Sequence, residues 1–138
     1  MNNLMQEFPL LVGNIIDHAA RYHAKRKIIC RTVEGPIVTT NWSEIRTKAL
    51  KLTKALLKLG VKQGDVIGVM AWNTARHLEV VYGVPGSGAV NHTLNPRLFS
   101  EQLIYIINHA EDKILMVDRD LVPVIETIIQ KCPKVQNV

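Results

Sequence analysis

Two short, unbroken apolar runs constrain this chain most: Val66-Ile67-Gly68-Val69-Met70 and Ile114-Leu115-Met116-Val117. A strand with one face in water alternates apolar and polar side chains. These runs do not alternate, so each must be covered on both faces. Around them lie longer stretches with helical periodicity. Buried strands interleaved with helices predict an α/β fold with a mainly parallel sheet flanked by helices.

The periodicity places the elements. Leu11 to Tyr22 reads as a helix, with Leu11, Ile15, Ile16, Ala19 and Tyr22 on one face. Lys27–Thr32 and Pro36–Thr40 read as a strand pair turning at Glu34-Gly35. Asn41-Trp42-Ser43-Glu44 has the form of a capping box and opens a helix running to about Leu59. Ile45, Ala49, Leu52, Leu56 and Leu59 form its apolar stripe, and Gly60 stands where a C-terminal glycine belongs. Asp65–Met70 is a strand, followed by a helix from near Thr74. Ala89–His92 is a second short strand, and Ser100 caps a helix carrying Leu103, Ile106, Ile107 and Ala110. Lys113–Val117 is a strand, and Leu121–Lys131 a helix with Leu121, Ile125, Ile128 and Ile129 inward. Pro133–Val138 has the character of the start of a further strand, so residues 1–138 read as one unit belonging to something longer.

Bulk composition excludes several classes. The chain is 47% hydrophobic and 21% charged, which is ordinary for a globular domain of 138 residues. Its apolar runs are far short of the roughly 18–20 residues that span a bilayer. Residues 1–15 contain no basic residue, so they do not read as a secretory signal. Cys30 and Cys132 match no metal or redox spacing and read as packed free thiols of a cytoplasmic protein. No His pair lies at i, i+4 spacing among His18, His23, His77, His92 and His109, so no metal site is expected.

The formal charge of +5 is local. Arg46, Lys48, Lys51, Lys54, Lys58 and Lys62 occur with no acid among them. Lys48, Lys51, Lys54 and Lys58 recur at three- or four-residue spacing opposite the leucine stripe. The stripe reads as a solvated helix face, or as contact with an anionic membrane surface, an acidic cofactor or nucleic acid. No aromatic residues interleave the lysines to stack bases, which argues against nucleic acid.

Gly83, Gly86 and Gly88 spell G-x-x-G-x-G, which invites a phosphate-cradle reading. A dinucleotide loop has the order strand, glycines, helix, and the helix N-terminus faces the phosphates. Here the order is helix, glycines, strand. A helix C-terminus presents carbonyl oxygens, and no Gly-Lys-Ser/Thr follows. Pro85 cannot donate a backbone hydrogen bond and should end or kink the helix. The cluster therefore reads as close packing at a helix end.

Strand carboxyl ends are where open α/β sheets place ligands. His92, Asn95 and Arg97, in His92-Thr93-Leu94-Asn95-Pro96-Arg97, are the polar group best placed for this. The alternative is a polar cluster that fixes the Asn-Pro turn. Asp118 follows a strand as a receiver-domain phospho-acceptor would, but the acidic pair such a domain needs after its first strand reads Arg31-Thr32 instead.

The run "AWNTARHLEVVYGVPGSGAVNHTLNPRLFSEQLIYIINHAED", Ala71 to Asp112, resembles the amino-terminal part of the AMP-forming acyl-CoA synthetases. The likeness is greatest to the medium- and long-chain fatty-acyl-CoA synthetases. Trp42-Ser43-Glu44, Leu59-Gly60-Val61-Lys62-Gln63-Gly64-Asp65 and Met116-Val117-Asp118 fall in family order, with less specificity. The resemblance implies an enzyme that joins a carboxylate to ATP, releases pyrophosphate, and passes the acyl group to CoA; ATP, Mg and CoA are its implied cofactors. It implies that residues 1–138 are a partial first subdomain of the large amino-terminal domain, cut near its last strand. In the family, the phosphate loop ending in Pro-Lys, the adenine motif, the ribose Asp and the small-domain Lys all lie downstream. No catalytic, cofactor-binding or metal residue carries over, and this stretch alone should be inactive. The resemblance implies the rest of the parent ligase as partner; a homodimer is a further candidate, and the basic stripe allows at most peripheral membrane contact. A stand-alone module binding anionic lipid or acyl-CoA, or an oligomerisation module, is the alternative.

Overall fold

The structure is a computed structural model, and it describes residues 7–138. The first six residues, part of the stretch read against a secretory signal, lie outside the described residues. The elements run in the order α1 (Val12–Tyr22), β1 (Lys27–Arg31), β2 (Ile37–Asn41), α2 (Trp42–Lys58), β3 (Val66–Met70), α3 (Ala75–Gly86), β4 (Val90–Thr93), α4 (Ser100–Ala110), β5 (Ile114–Val117) and α5 (Val122–Ile128). Single 3₁₀ turns flank α5 at Arg119–Leu121 and Ile129–Lys131, where the sequence predicted one continuous helix.

β3 is the centre of a parallel sheet of order β4-β3-β5. Gly68 stands opposite both His92 of β4 and Leu115 of β5. Each face of the sheet has its own core. On one side Ile67, Val69 and Ile114 pack with Leu56, Val61 and Val84, from α2, the turn after it and α3. On the other, Met70 and Leu115 pack with Leu103 and Ile107 of α4 and with Ile125 and Ile128 of α5. This double cover is what the apolar runs required, and the α/β class with a parallel sheet holds. β1 and β2 form a separate antiparallel hairpin, Lys27 opposite Asn41 and Arg31 opposite Ile37.

Local chemistry explains the junctions. Glu44 N–H donates to Asn41 Oδ1 at 3.0 Å, which caps α2. The Glu44 carboxylate does not return to the Asn41 backbone; it accepts from Asn41 Nδ2 at 2.8 Å and from Thr40 Oγ1 at 2.6 Å. α2 ends in a Schellman motif around Gly60, whose φ of 82° suits glycine. Val61 N–H donates to the Leu56 carbonyl, and Val61 and Leu56 are both buried. Val61 thus takes the inward place expected of Leu59, which is exposed because the chain has already turned away.

Three further expectations need correction. The stripe of α1 is mostly uncovered: Ile16 is buried, but Leu11, Ile15 and Tyr22 are exposed, because among the described residues only α2 and α3 pack against this helix in any number. Ser100 is the first helical residue of α4 rather than its cap; Phe99 precedes it, and Phe99 N–H donates to Gln102 Oε1. Pro133–Val138 makes one parallel bridge beside β5, Ile114 opposite Asn137, rather than a full strand.

Candidate functional site

Isolated glycine inside a strand marks a close approach by another group, and Gly68 is such a case. A methyl group there would lie 2.6 Å from Asp112 Oδ2 and 2.5 Å from Leu115 Cδ2. The absent side chain is what lets Asp112, with 0% exposure, lie beneath the central strand. Glu111 ends α4 in the left-handed region, at φ 58°. That turn starts the chain toward β5 and brings Asp112 under the sheet. The Asp112 carboxylate meets His92 Nδ1 at 2.9 and 3.1 Å across β3. Burial pushes the Asp112 carboxyl above its ordinary value, and the hydrogen bond and charge of His92 oppose that shift. An imidazole held at Nδ1 by a buried carboxylate is fixed in orientation, with its Nε2 face turned away from that bond.

Asp112 thus holds the His92 ring. Asn95 Oδ1 accepts from Arg97 N–H at 3.0 Å, an Asx turn that shapes the Asn-Pro corner. Among the described residues no hydrogen bond joins the His92–Asp112 pair to that turn.

The carboxyl edge of the sheet holds a group that the sequence reading missed. β3 and β5 are neighbours, yet α3 and α5 follow them onto opposite faces. Such a reversal opens a crevice at the strand ends. Trp72 lies across it: its backbone N–H donates to Asp118 Oδ2 at 2.8 Å, and its indole Nε1–H donates to Asp120 Oδ2 at 2.8 Å. Asp118, rejected as a phospho-acceptor, is buried and serves as a clamp on this loop. Residues 46 and 48 apart in sequence meet here, and no local pattern signals such a pairing. Gly68 was the available signal for Asp112, as a glycine breaking an otherwise large apolar run.

The glycine cluster does not form an anion cradle. A methyl at Gly83 would sit 2.8 Å from Leu52 Cδ2 and 3.0 Å from the Ala49 carbonyl, and one at Gly86 would sit 2.5 Å from Thr53 Oγ1. Thr53 Oγ1–H lies 2.8 Å from the Gly83 carbonyl. Gly83 and Gly86 let α3 lie against α2. The helix ends one residue after Pro85, at Gly86. These residues do not fit the phosphates of ATP.

A cavity of about 250 Å³ lies between the hairpin and the amino ends of α2 and α3, lined in part by Cys30, Thr40, Glu44, Lys48, Arg76 and Glu79. Its charged groups are already engaged by protein partners. Lys48 Nζ meets Glu79 Oε1 at 3.1 Å, Arg76 meets Glu34 Oε1 at 2.7 Å, and Glu44 is engaged by Thr40 and Asn41. Among the described residues no three His, Cys, Asp or Glu side chains converge as a metal site. No helix among them is long and apolar enough to cross a membrane. Of the basic stripe, Lys48 is tied to α3, whereas Lys51, Lys54 and Lys58 make no ion pair among the described residues.

Residues 16–138 match the family model of the AMP-binding enzymes. The chain is 46% identical over 133 residues to 3-methylmercaptopropionyl-CoA ligase of Ruegeria lacuscaerulensis, covering 96% of this chain and 25% of that protein. It is 44% identical over 132 residues to medium-chain-fatty-acid–CoA ligase of Ectopseudomonas oleovorans, covering 96% and 24%. A long-chain-fatty-acid–CoA ligase from Archaeoglobus fulgidus superposes with a TM-score of 0.83 at 24% identity, over 96% of this chain and 28% of that one. The chain thus spans about a quarter of the length of the curated relatives it matches.

Proposed function

The chain belongs to the AMP-binding enzyme family, and we propose that it forms the amino-terminal part of an AMP-forming acyl-CoA ligase for medium- or long-chain fatty acids. The observation that carries this reading is the 44% identity to a medium-chain-fatty-acid–CoA ligase along nearly the whole chain. Such a ligase forms an acyl-adenylate and pyrophosphate from a carboxylate and ATP. The CoA thiol then displaces AMP to give the thioester. ATP, Mg and CoA would be used by the whole enzyme. The role of residues 7–138 is to hold a rigid parallel sheet, with the Gly83–Gly88 segment docking α3 on α2. The phosphate-binding loop and the catalytic lysine would come from other parts of the protein, so this stretch by itself would form no acyl-adenylate.

A second reading of the substrate rests on the similarity to 3-methylmercaptopropionyl-CoA ligases, at 46% and 48% identity. It is a short thioether acid in place of a fatty acid. Pyrophosphate release by the full-length protein, measured across acids from 3-methylmercaptopropionate to palmitate, separates the two. A maximum at six to twelve carbons, on the order of tenfold above the thioether acid, is expected. The reverse order would select the second reading, and no turnover with any acid would overturn both. The isolated chain should release no pyrophosphate in the same assay.

A further inference from the structure

The outward face of α2 combines two properties that a merely solvated helix does not need. Its inner side is Ile45, Ala49 and Leu56, all buried. At 100° per residue, the opposite side carries Thr47, Leu50, Lys51, Lys54, Leu57 and Lys58. Leu50 and Leu57 are 43% and 52% exposed, two turns apart on the same line. Lys54 stands between them, with Lys51 and Lys58 alongside. From Ile45 to Gly64 there is no acidic residue. Arg46 and Lys48 are neutralised by Asp17 and Glu79, at the margins of the face. The three central lysines have no such partner among the described residues.

We propose that this face of α2 docks peripherally on an anionic lipid surface. The charges left without a partner are all of one sign, which is complementary to anionic headgroups. The leucines beside them supply the apolar contact that a helix lying in the interface buries at the headgroup boundary. An acidic protein would be met by the lysines equally well, but an acidic protein surface gives two exposed leucines no depth to enter. The proposal does not depend on the ligase reading, because it uses only the charge and exposure of α2.

The test is co-sedimentation of the full-length protein with vesicles of phosphatidylcholine containing 30% phosphatidylglycerol, and with pure phosphatidylcholine. Binding to the anionic vesicles is expected, falling steeply with salt, and binding to neutral vesicles should be weaker by at least tenfold. Lys51→Ala/Lys54→Ala/Lys58→Ala should weaken anionic binding by on the order of a hundredfold. Leu50→Ser/Leu57→Ser should weaken it several-fold without changing the salt dependence. Lys54→Glu, at the middle of the face, is the second variant if the triple one fails to fold. Absence of vesicle binding, or binding unchanged in the lysine variants, overturns the proposal. Competition by polyglutamate with no effect of the leucine pair also overturns it, in favour of an acidic protein partner. Unchanged pyrophosphate release by a lipid-binding-defective variant would show that the two functions are separate.

Discussion

β3 and β1 are both five-residue strands, and they behave oppositely. β3 is buried along four of its five residues and has a hydrogen-bonded neighbour on each side. β1 alternates between exposed and partly buried residues and has one partner, β2. In β3 every position answers to two faces: apolar residues fill both cores, and Gly68 is small because Asp112 occupies the space below it. In β1 each outward residue answers to water. A doubly covered strand leaves little freedom in its residues, while a hairpin on the flank needs mainly register and a turn.

This contrast can be broken by substitution, beginning with the sheet. Leu103, with 0% exposure under β3, should cost about 4 kcal/mol as Leu103→Ala, by lost burial and the cavity left behind. Urea unfolding measures it, and a loss below about 1 kcal/mol would mean that the core is not close-packed. Gly68→Ala should come next, at about 2 kcal/mol, since a methyl cannot enter without displacing Leu115 and the Asp112 carboxylate. A neutral result would remove the special status of β3. Asn41→Ala, at the junction of hairpin and α2, should lose about 1 kcal/mol with the cap bond to Glu44 N–H.

A smaller, pH-dependent difference is expected at Asp112, whose folded value lies above its ordinary one. A carboxyl shifted in that direction favours the fold when protonated. Its contribution is therefore complete below the unfolded carboxylate value, near 3.9, and is lost as pH rises through the folded value. Melting temperatures of wild type and Asp112→Asn between pH 3 and 7 should show wild type losing ground to the variant as pH rises through that window. The opposite slope would mean that the bond to His92 outweighs burial. The smallest effect belongs to the hairpin: Ile29→Ala, at 67% exposure, should stay within about 0.5 kcal/mol.

Residues close in sequence were legible without the fold. The Asn41 cap, the glycine end of α2, the hairpin turn and the doubly buried character of β3 follow from periodicity and capping chemistry, which act within a few residues. So does the exclusion of Gly83–Gly88 as a phosphate site, because the order helix, glycines, strand is local. The run from Ala71 to Asp112 also carried the family likeness by itself. The partner of His92 was not legible: the candidate trio with Asn95 and Arg97 rested on nearness in sequence, whereas His92 lies within β4 and meets Asp112, twenty residues later, across a third strand. Trp72 with Asp118 and Asp120 is the same kind of case, and so is the exposed face of α1. Side-chain periodicity states which face of an element must be buried, but not which distant element buries it. Those pairings appear only when strands are ordered β4-β3-β5 and helices are assigned to faces, because a contact between residues far apart in sequence is decided by the packing of whole elements.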